Sequence, residues 1–240
     1  MLELPGEKQH TNQLWTEKYR PNSLDEVVGQ EQIVKILKAY EHKPIPQIPP
    51  MLFWGSYGLG KTAIARAFLP DLPMFHDNAA KDRGIDYAKH IDKLLHSRST
   101  IFQFMHSVNV DKALRTDGIK IIIDEAEQIT NEAQIMLRDS FERGGFSAVV
   151  IMITNDLKKI NEGLKERFPL KLEFKPVEPE RMRNLAKRIT EAENVNISNQ
   201  DLENILRASA GIPRRLIQHL NVYADTGVLP EEQKPLNKYE

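Results

Sequence analysis

The sequence predicts an α/β fold in which a parallel five-stranded sheet is flanked by helices and is followed by a small helical domain. Three observations favour this class. Apolar runs of strand length recur along the first three quarters of the chain, helical patterns separate them, and no strand pattern follows Pro179. Strands that alternate with helices form parallel sheets that are covered on both faces.

The predicted strands are short runs rich in β-branched or aromatic residues, and the predicted helices have apolar residues at helical spacing. The strands are "MLFW" at 51–54, "PMFHD" at 73–77, "IKIIID" at 119–124, "AVVIMIT" at 148–154 and the alternating "LKLEF" at 170–174. The helices are expected at 31–41, 62–68, 84–96 and 130–143.

The pattern after the last strand is helical throughout. Residues 180–193 have apolar side chains at helical spacing, Ser198 with Asp201 resembles a capping box, and Pro213 suits the first turn of a further helix. We therefore expect a flexible N-terminus at 1–13, a sheet domain at 14–177, a helical lid domain at 178–226 and a C-terminal tail at 227–240.

The composition is that of a soluble globular protein. Of 240 residues, 40% are hydrophobic and 28% are charged, and the formal net charge is -1, so any DNA-binding surface must be a local patch. The chain has no cysteine, which excludes disulfides and thiolate zinc sites. The apolar runs are shorter than a membrane span, and the N-terminus lacks a signal-peptide pattern. We expect an intracellular protein without a membrane partner, cytoplasmic, or nuclear if the source is eukaryotic.

A glycine-rich loop follows the first predicted strand and precedes a predicted helix. The segment "GSYGLGKT" fits the pattern G-x-x-x-x-G-K-[ST], in which successive backbone N–H groups surround phosphate oxygens. Lys61 is expected to reach the β- and γ-phosphates, and the Thr62 hydroxyl to hold Mg²⁺. The expected nucleotide contacts here are Gly55, Ser56, Tyr57, Gly58, Leu59, Gly60, Lys61, Thr62 and Ala63.

Polar residues end two of the predicted buried strands. Asp124 and Glu125 follow one strand, and Asn155 follows another. Asp124 is expected to orient Mg²⁺ through its water shell, and Glu125 to polarise the attacking water. Asn155 is expected to hold that water without adding charge, although an asparagine at a strand end is equally typical of a plain turn.

Two further arginines are candidates for phosphate contacts. Arg167 ends a helical stretch, where it either stabilises the helix C-terminus or neutralises transition-state charge in a neighbouring subunit. Arg214 lies near the N-terminal end of a lid helix, where a cation opposes the helix dipole. That conflict favours an anionic ligand over simple solvation.

The order of these motifs resembles the AAA+ ATPases and, within them, the small subunits of the replication factor C clamp loaders. The resemblance covers about residues 14–225. It is carried by "WTEKYRPNSLDEVVGQEQIVKILK", "GSYGLGKT", "NAAKDRGID", "IIIDEAEQIT", "AQIMLR", "ITND", "ERF" and "GIPRRLI". The phosphate loop is common to many ATPases, whereas "EKYRP" with "GQE" and "NAAKDRGI" is much more specific.

The resemblance implies an ATPase that uses ATP and Mg²⁺. It assigns Thr62 and Asp124 to the metal, Lys61, Glu125 and Asn155 to catalysis, and Arg167 to a finger that acts on a neighbouring subunit. Arg214 is the implied lid arginine. The implied adenine pocket comprises Tyr19, Arg20, Pro21, Val28, Gly29 and Gln30.

The resemblance also implies assembly and DNA binding. Five or six subunits, identical or different, would form a ring or spiral around primer–template or duplex DNA, with a sliding clamp and a large clamp-loader subunit as further partners. Lys81, Arg83 and Arg138 are the implied contacts to DNA phosphates. Such contacts hold duplex backbone without reading its sequence.

Three features depart from the family pattern. The finger motif Ser-Arg-Cys is replaced by Glu166-Arg167-Phe168, and the second basic residue on the DNA-facing helix is replaced by Asp139. The third helical domain of clamp loaders, a collar that joins five subunits, has no counterpart in these 240 residues. We expect a different ring, a collar supplied by a partner, or a truncated chain.

Three functional hypotheses stay open at this point. The first is a clamp-loader subunit, and the second is a ring-forming DNA motor of the helicase or branch-migration type. A β-hairpin within 97–118 would favour the motor. The third is an ATP-binding assembly or switch subunit with weak hydrolysis, which the altered finger motif favours and the intact Glu125 and Asn155 oppose.

Overall fold

The computed structural model describes residues 14–80, 83–96, 118–145 and 148–228. The strands are β1 Met51–Trp54, β2 Met74–Asn78, β3 Ile119–Asp124, β4 Ala148–Thr154 and β5 Leu170–Glu173. The α-helices of these residues are α1 Trp15–Lys18, α2 Glu31–Lys38, α3 Lys61–Ala67, α4 Ile85–His96, α5 Asn131–Arg143, α6 Glu162–Lys165, α7 Pro179–Ala192, α8 Asn199–Ser209 and α9 Pro213–Thr226.

The five strands form one parallel sheet in the order β2-β3-β4-β1-β5, which confirms the predicted fold class. The register places Trp54 of β1 beside Thr154 of β4, and Asn78 of β2 beside Asp124 of β3. The carboxyl ends of these strands therefore lie at the same edge of the sheet. The loops that follow them are the usual place for a ligand in an open α/β sheet.

Alternate residues of the central strands pack into different clusters on the two faces of the sheet. In β3, Ile121 and Ile123 contact the cluster that contains the buried faces of α4 and α5. Ile122 contacts the opposite cluster, which contains buried residues of α2 and α3. A parallel strand that is covered on both faces has to be apolar at successive positions, as "IKIIID" is in all but its second and last residues.

The helices α7, α8 and α9 pack around a third apolar cluster. Ser198 caps α8 by accepting a hydrogen bond from the Asp201 N–H at 3.0 Å, and Pro213 occupies the first turn of α9. The cluster also includes Val177 and has Trp15 and Tyr19 packed against it. Because side chains from both sides of residue 177 share this cluster, the domain boundary proposed there stays a prediction.

The strand positions agree with the sequence prediction to within one residue at each end. Helix α2 ends at Lys38, three residues earlier than predicted, and the chain makes turns before Pro44. The segment 1–13 and most of the predicted tail lie outside the described residues. None of the helices in the described part of the chain combines the length and the hydropathy of a membrane span.

Candidate nucleotide-binding site

A cavity of about 480 Å³ lies at the carboxyl edge of the sheet, between the sheet and the lid helices. Its volume is within the range of small-molecule and cofactor sites. Most of the sequence-predicted nucleotide contacts line it. They are Tyr19, Arg20, Pro21, Val28, Tyr57, Gly58, Leu59, Gly60, Lys61, Thr62, Ala63, Asp124, Glu125, Asn155 and Arg214.

Lys61 is a buried cation at the centre of the phosphate loop. Its Nζ donates to the carbonyl oxygens of Gly55 and Ser56, each at 2.7 Å, and to Asn155 Oδ1 at 2.9 Å. Burial lowers the pKa of Lys61 to about 8, although the negative charges of Asp124 and Glu127 oppose this shift. Because the protein supplies mostly neutral acceptors to this ammonium group, a phosphate oxygen would be a stronger partner for it.

Thr62 and Asp124 lie together as a magnesium site requires. The Thr62 hydroxyl donates to Asp124 Oδ2 at 2.7 Å, and the Glu125 N–H donates to Asp124 Oδ1 at 2.9 Å. Burial raises the pKa of Asp124, but the nearby His76 ring and the hydrogen bonds from Thr62 and the Glu125 N–H outweigh it, so that the pKa lies below its ordinary value. The carboxylate is therefore ionised and can hold a cation or its water shell.

A histidine and an arginine that no sequence motif identified extend this site. His76 of β2 lies with its Nε2 3.5 Å from Asp124 Oδ2, and its Nδ1 lies 2.7 Å from an Nη atom of Arg66. An arginine can only donate, so His76 Nδ1 accepts and the ring proton is on Nε2, facing Asp124. The order β2-β3 brings these residues together. The one available signal was a histidine that follows the apolar residues Met74 and Phe75 in a predicted strand.

Gly58 allows the lid to contact the phosphate loop. Its φ is +79°, and a Cβ at this position would lie 2.7 Å from Ile212 Cγ2 and 3.3 Å from Arg214 Cβ. The Arg214 N–H donates to the Gly58 carbonyl at 3.4 Å. The motif glycine therefore permits both the turn of the loop and the close approach of α9, which brings the Arg214 side chain to the cavity.

Two acidic residues after β3 have different surroundings. Glu125 lines the cavity and has a left-handed backbone with φ +53°. Glu127 is buried and is hydrogen-bonded to Thr154 and Asn155 at the end of β4. The sequence analysis identified Glu125 and missed Glu127, because no motif specifies the second acidic residue.

The segment around α1 closes the side of the cavity that is remote from the sheet. Tyr19 donates a hydrogen bond to Glu193, the residue after α7, and Lys18 forms an ion pair with the same carboxylate at 2.6 Å. Burial, together with the Glu193 interaction, raises the pKa of Tyr19. The apolar side chains of Leu185 and Ile217 line the cavity from the lid, so that both segments can cover a nucleotide base.

Two predicted adenine-pocket residues are outside the cavity lining. Gly29 has a φ of +78°, and a Cβ there would lie 2.7 Å from Val177 Cγ2. Gln30 donates through Nε2 to the Lys175 carbonyl at 2.6 Å. Both residues thus hold the segment after Val28 against the connection between the sheet and the lid, and their contact with a nucleotide stays a prediction.

Arg167 is also outside the cavity of its own subunit. Its guanidinium forms an ion pair with Glu142 at 3.1 Å, and its side chain is 37% exposed. The following residue, Phe168, is fully buried against Phe141, with ring centroids 4.9 Å apart. The packing of Phe168 fixes the position of Arg167 on the surface, and its role as a finger stays a prediction.

The structure describes two of the three predicted DNA contacts, Arg83 and Arg138. Lys81 lies outside the described residues, and Arg83 is exposed. Arg138 donates from Nε at 3.0 Å and from an Nη atom at 2.8 Å to Asp139 Oδ1. Asp139 therefore neutralises part of the charge that a DNA phosphate would meet, and the DNA contact of Arg138 stays a prediction.

The residues that line the cavity fit ATP with Mg²⁺. The loop provides a helix N-terminus and a buried ammonium group for phosphates, and Thr62 with Asp124 provides the oxygens that magnesium prefers. The cations Arg20, Arg66, Arg188 and Arg214 also line the cavity. With Lys61, these cations suit a polyanionic ligand, although four acidic residues line the cavity as well. Arg66 and Arg188 were not identified from the sequence.

Comparisons with known proteins agree with this geometry. The ATPase family associated with various cellular activities (AAA) matches residues 51–176. The replication factor C small subunit of Archaeoglobus fulgidus is 35% identical over 90% of the chain, and that of Picrophilus torridus is 32% identical over 95%. The chain spans 65% and 68% of the length of these two relatives.

A solved structure of the RuvB Holliday junction branch migration motor of Thermotoga maritima has a similar fold. It superposes with a TM-score of 0.69 over 86% of this chain and 65% of that one, with 21% sequence identity. At that identity the likeness concerns the fold alone. It agrees with the parallel five-stranded sheet and the helical segment that follows it.

Proposed function

The chain belongs to the AAA family of ATPases, and on this premise we propose that it is a clamp-loader small-subunit-like enzyme that binds and hydrolyses ATP at the interface between subunits. The cavity around Lys61 supports this proposal, because it combines a buried ammonium group, a threonine–aspartate pair and a carboxylate in one place. The similarity to replication factor C small subunits over about nine tenths of the chain supports the subunit type.

The positions of the residues support the following roles. ATP with Mg²⁺ supplies the phosphoryl group and the divalent charge that neutralises it. Lys61 binds the β- and γ-phosphate oxygens, and Thr62 with Asp124 orients the metal. Glu125 accepts a proton from the attacking water, and Asn155 fixes the position of that water or of the γ-phosphate.

The location of Arg167 supports an active site that two subunits share. The cavity of one subunit contains the acidic and phosphate-binding residues but not Arg167, which lies on the surface beside Glu142. A neighbouring subunit would supply this arginine to the transition state, where such a finger contributes about 10³-fold or more to hydrolysis. Assembly and turnover would then be coupled.

The proposed action on DNA and on a sliding clamp is based on the relatives. Their name, replication factor C small subunit, places them in a larger assembly, and we propose primer–template DNA, a clamp and a large subunit as partners of this chain. A hairpin within 97–118 would favour the motor alternative, but most of that segment lies outside the described residues, so this alternative stays untested. The switch alternative is disfavoured because Glu125 and Asn155 both line the cavity.

Steady-state ATP hydrolysis with Mg²⁺, in the presence and absence of primer–template DNA, tests this proposal. Wild-type turnover should rise with DNA, Lys61→Ala should lose about 10-fold or more in ATP affinity, and Glu125→Gln should bind ATP but hydrolyse it at least about 100-fold more slowly. Lys171→Ala, which removes an exposed lysine of β5, is the matched control. Normal hydrolysis by Glu125→Gln would refute the assignment of the base.

A further inference from the structure

Glu127 is a buried carboxylate that joins the ends of two strands. It lies in the 3-10 turn Ala126–Gln128 after β3 and is only 9% exposed. Its Oε2 accepts from the Thr154 hydroxyl at 2.9 Å and from the Asn155 N–H at 3.2 Å, and its Oε1 accepts from Asn155 Nδ2 at 2.7 Å. All three donors belong to the last residue of β4 or the residue after it.

These contacts determine the orientation of the Asn155 side-chain amide. A carboxylate can only accept hydrogen bonds, and an ammonium group can only donate them. The amide nitrogen must therefore face Glu127, and the amide oxygen must face Lys61 Nζ, which lies 2.9 Å away. A flipped amide would place oxygen against carboxylate and NH₂ against ammonium, which costs both hydrogen bonds and leaves buried charges unpaired.

We propose that Glu127 is a positioning residue that sets the amide orientation of Asn155 and thereby its contact with the γ-phosphate or the attacking water. One N–H of the amide is bonded to Glu127, and the second N–H, which interacts with the Tyr57 hydroxyl, can exchange that partner for a phosphate or water oxygen. The inference rests on the proposed ATP hydrolysis, since Asn155 has a catalytic role only there. It adds a residue that acts through Asn155 rather than on the nucleotide.

The substitution Glu127→Gln tests this role with little change of shape. A glutamine offers one accepting oxygen and one NH₂ in place of two accepting oxygens. Whichever way it is oriented, its NH₂ faces either Asn155 Nδ2 or the Asn155 backbone N–H. In the first arrangement the Asn155 amide is driven to flip, so that its NH₂ faces Lys61. In the second, the hydrogen bond that the Asn155 backbone N–H donates to residue 127 is lost.

The experiment is a double-mutant cycle of wild type, Glu127→Gln, Asn155→Ala and the double variant of the full chain. Single-turnover ATP hydrolysis and the affinities for the fluorescent analogues mant-ATPγS and mant-ADP are measured. In the wild-type background, Glu127→Gln should slow hydrolysis about 10- to 100-fold and lower mant-ATPγS affinity about 10-fold, with mant-ADP affinity within about 2-fold. In the Asn155→Ala background it should slow hydrolysis by less than about 3-fold.

Two controls separate positioning from general damage to the fold. Glu132→Gln changes an exposed glutamate on the first turn of α5 and should leave every readout within about 2-fold of wild type. Thr154→Val removes one hydroxyl donor from Glu127 and should slow hydrolysis about 3- to 10-fold without abolishing mant-ADP binding. If the circular dichroism melt shows that Glu127→Gln does not fold, Thr154→Val still tests the positioning role of Glu127.

Equal effects of Glu127→Gln in both backgrounds would overturn the inference, as would unchanged hydrolysis and an unchanged ratio of the two affinities. Failure of the proposed function has a different signature. There, the wild-type protein would not hydrolyse ATP, while the affinity ratio would still report whether Glu127 acts through Asn155. Even then, the ratio of mant-ATPγS affinity to mant-ADP affinity tests the positioning role. That role is supported if the ratio falls in Glu127→Gln and falls no further in the double variant.

Discussion

Lys120 links the strand that bears Asp124 to the phosphate-loop helix, and its replacement by methionine should destabilise the protein. Lys120 is 1% exposed in β3. Its Nζ donates to the carbonyl oxygens of Arg66 at 2.8 Å, Phe68 at 2.5 Å and Leu69 at 3.3 Å. These carbonyls lie at the C-terminal end of α3, where a helix leaves its last acceptors unpaired. Lys120→Met removes the donors and keeps most of the apolar stem.

The expected loss follows from these three bonds. A buried carbonyl left without a donor costs about 1–3 kcal/mol, and the variant recovers part of this because it no longer buries an ammonium group. A net loss of about 2–4 kcal/mol is therefore expected. For a chain of this length each kcal/mol corresponds to about 2–4 °C in Tm, so that Tm should fall by about 4–16 °C.

The pH dependence of this effect has a definite sign. Burial, with a smaller contribution from Arg66, lowers the pKa of Lys120 from its ordinary 10.5 to about 8. Between these values the unfolded chain binds the proton and the folded chain does not, so the unfolding free energy of the wild type rises with pH, by at most about 3 kcal/mol. Below about 8 both states are protonated. Lys120→Met lacks this rise.

Urea unfolding of both proteins, followed by circular dichroism between pH 7 and 10.5, measures the difference. Lys171→Met, which replaces an exposed lysine of β5, is the control and should lie within about 0.5 kcal/mol of wild type. A Lys120→Met protein as stable as wild type at pH 7 would show that the three carbonyls do not need this donor. A wild-type advantage that shrinks from pH 8 to 10.5 would contradict the direction of the pKa shift.

Two further predictions concern the lid and the subunit interface. Gly58→Ala should lower ATP affinity about 10-fold, because its Cβ would displace α9, whereas Gly144→Ala, which has a positive φ but no neighbour within 4 Å, should stay within about 2-fold in a binding titration. Arg167→Ala should keep its own ATP affinity and lose turnover about 10³-fold. Mixing it with Lys61→Ala protein should restore part of the turnover, because the first variant supplies an intact Lys61 and the second supplies Arg167 to the same shared site. A mixture as inactive as its components would contradict a finger that acts between subunits.

Local patterns were enough to predict most of the fold. The bounds of β3 and β4 agree with the prediction because β4 is an uninterrupted apolar run, β3 is interrupted only by Lys120, and both strands end at a polar residue. The capping box at Ser198 and the proline at 213 mark helix starts through local chemistry, which the structure confirms. The order of the strands and the packing of Trp15 against the lid depend on contacts between distant segments, which no local pattern specifies.

In the candidate site, too, some residues could be predicted from local motifs and others only from contacts between distant segments. Lys61, Thr62 and Asp124 belong to motifs whose spacing reflects the chemistry of phosphate and magnesium, and the structure brings them together. His76 and Glu127 contact those motifs through the sheet register and through the turn after β3. They are single polar residues without a characteristic spacing, so that only the three-dimensional arrangement identifies them.

The most direct test of the central claim is the solution mass of the full chain by light scattering, measured with ATPγS and primer–template DNA, with ATP turnover recorded on parallel samples with ATP. The account predicts assembly into about five or six subunits and a turnover per subunit that rises with protein concentration as the shared sites form. Assembly of five would favour the loader and six the motor. Single subunits throughout, with a turnover that does not depend on concentration or DNA, would contradict an active site completed by Arg167 of a neighbour.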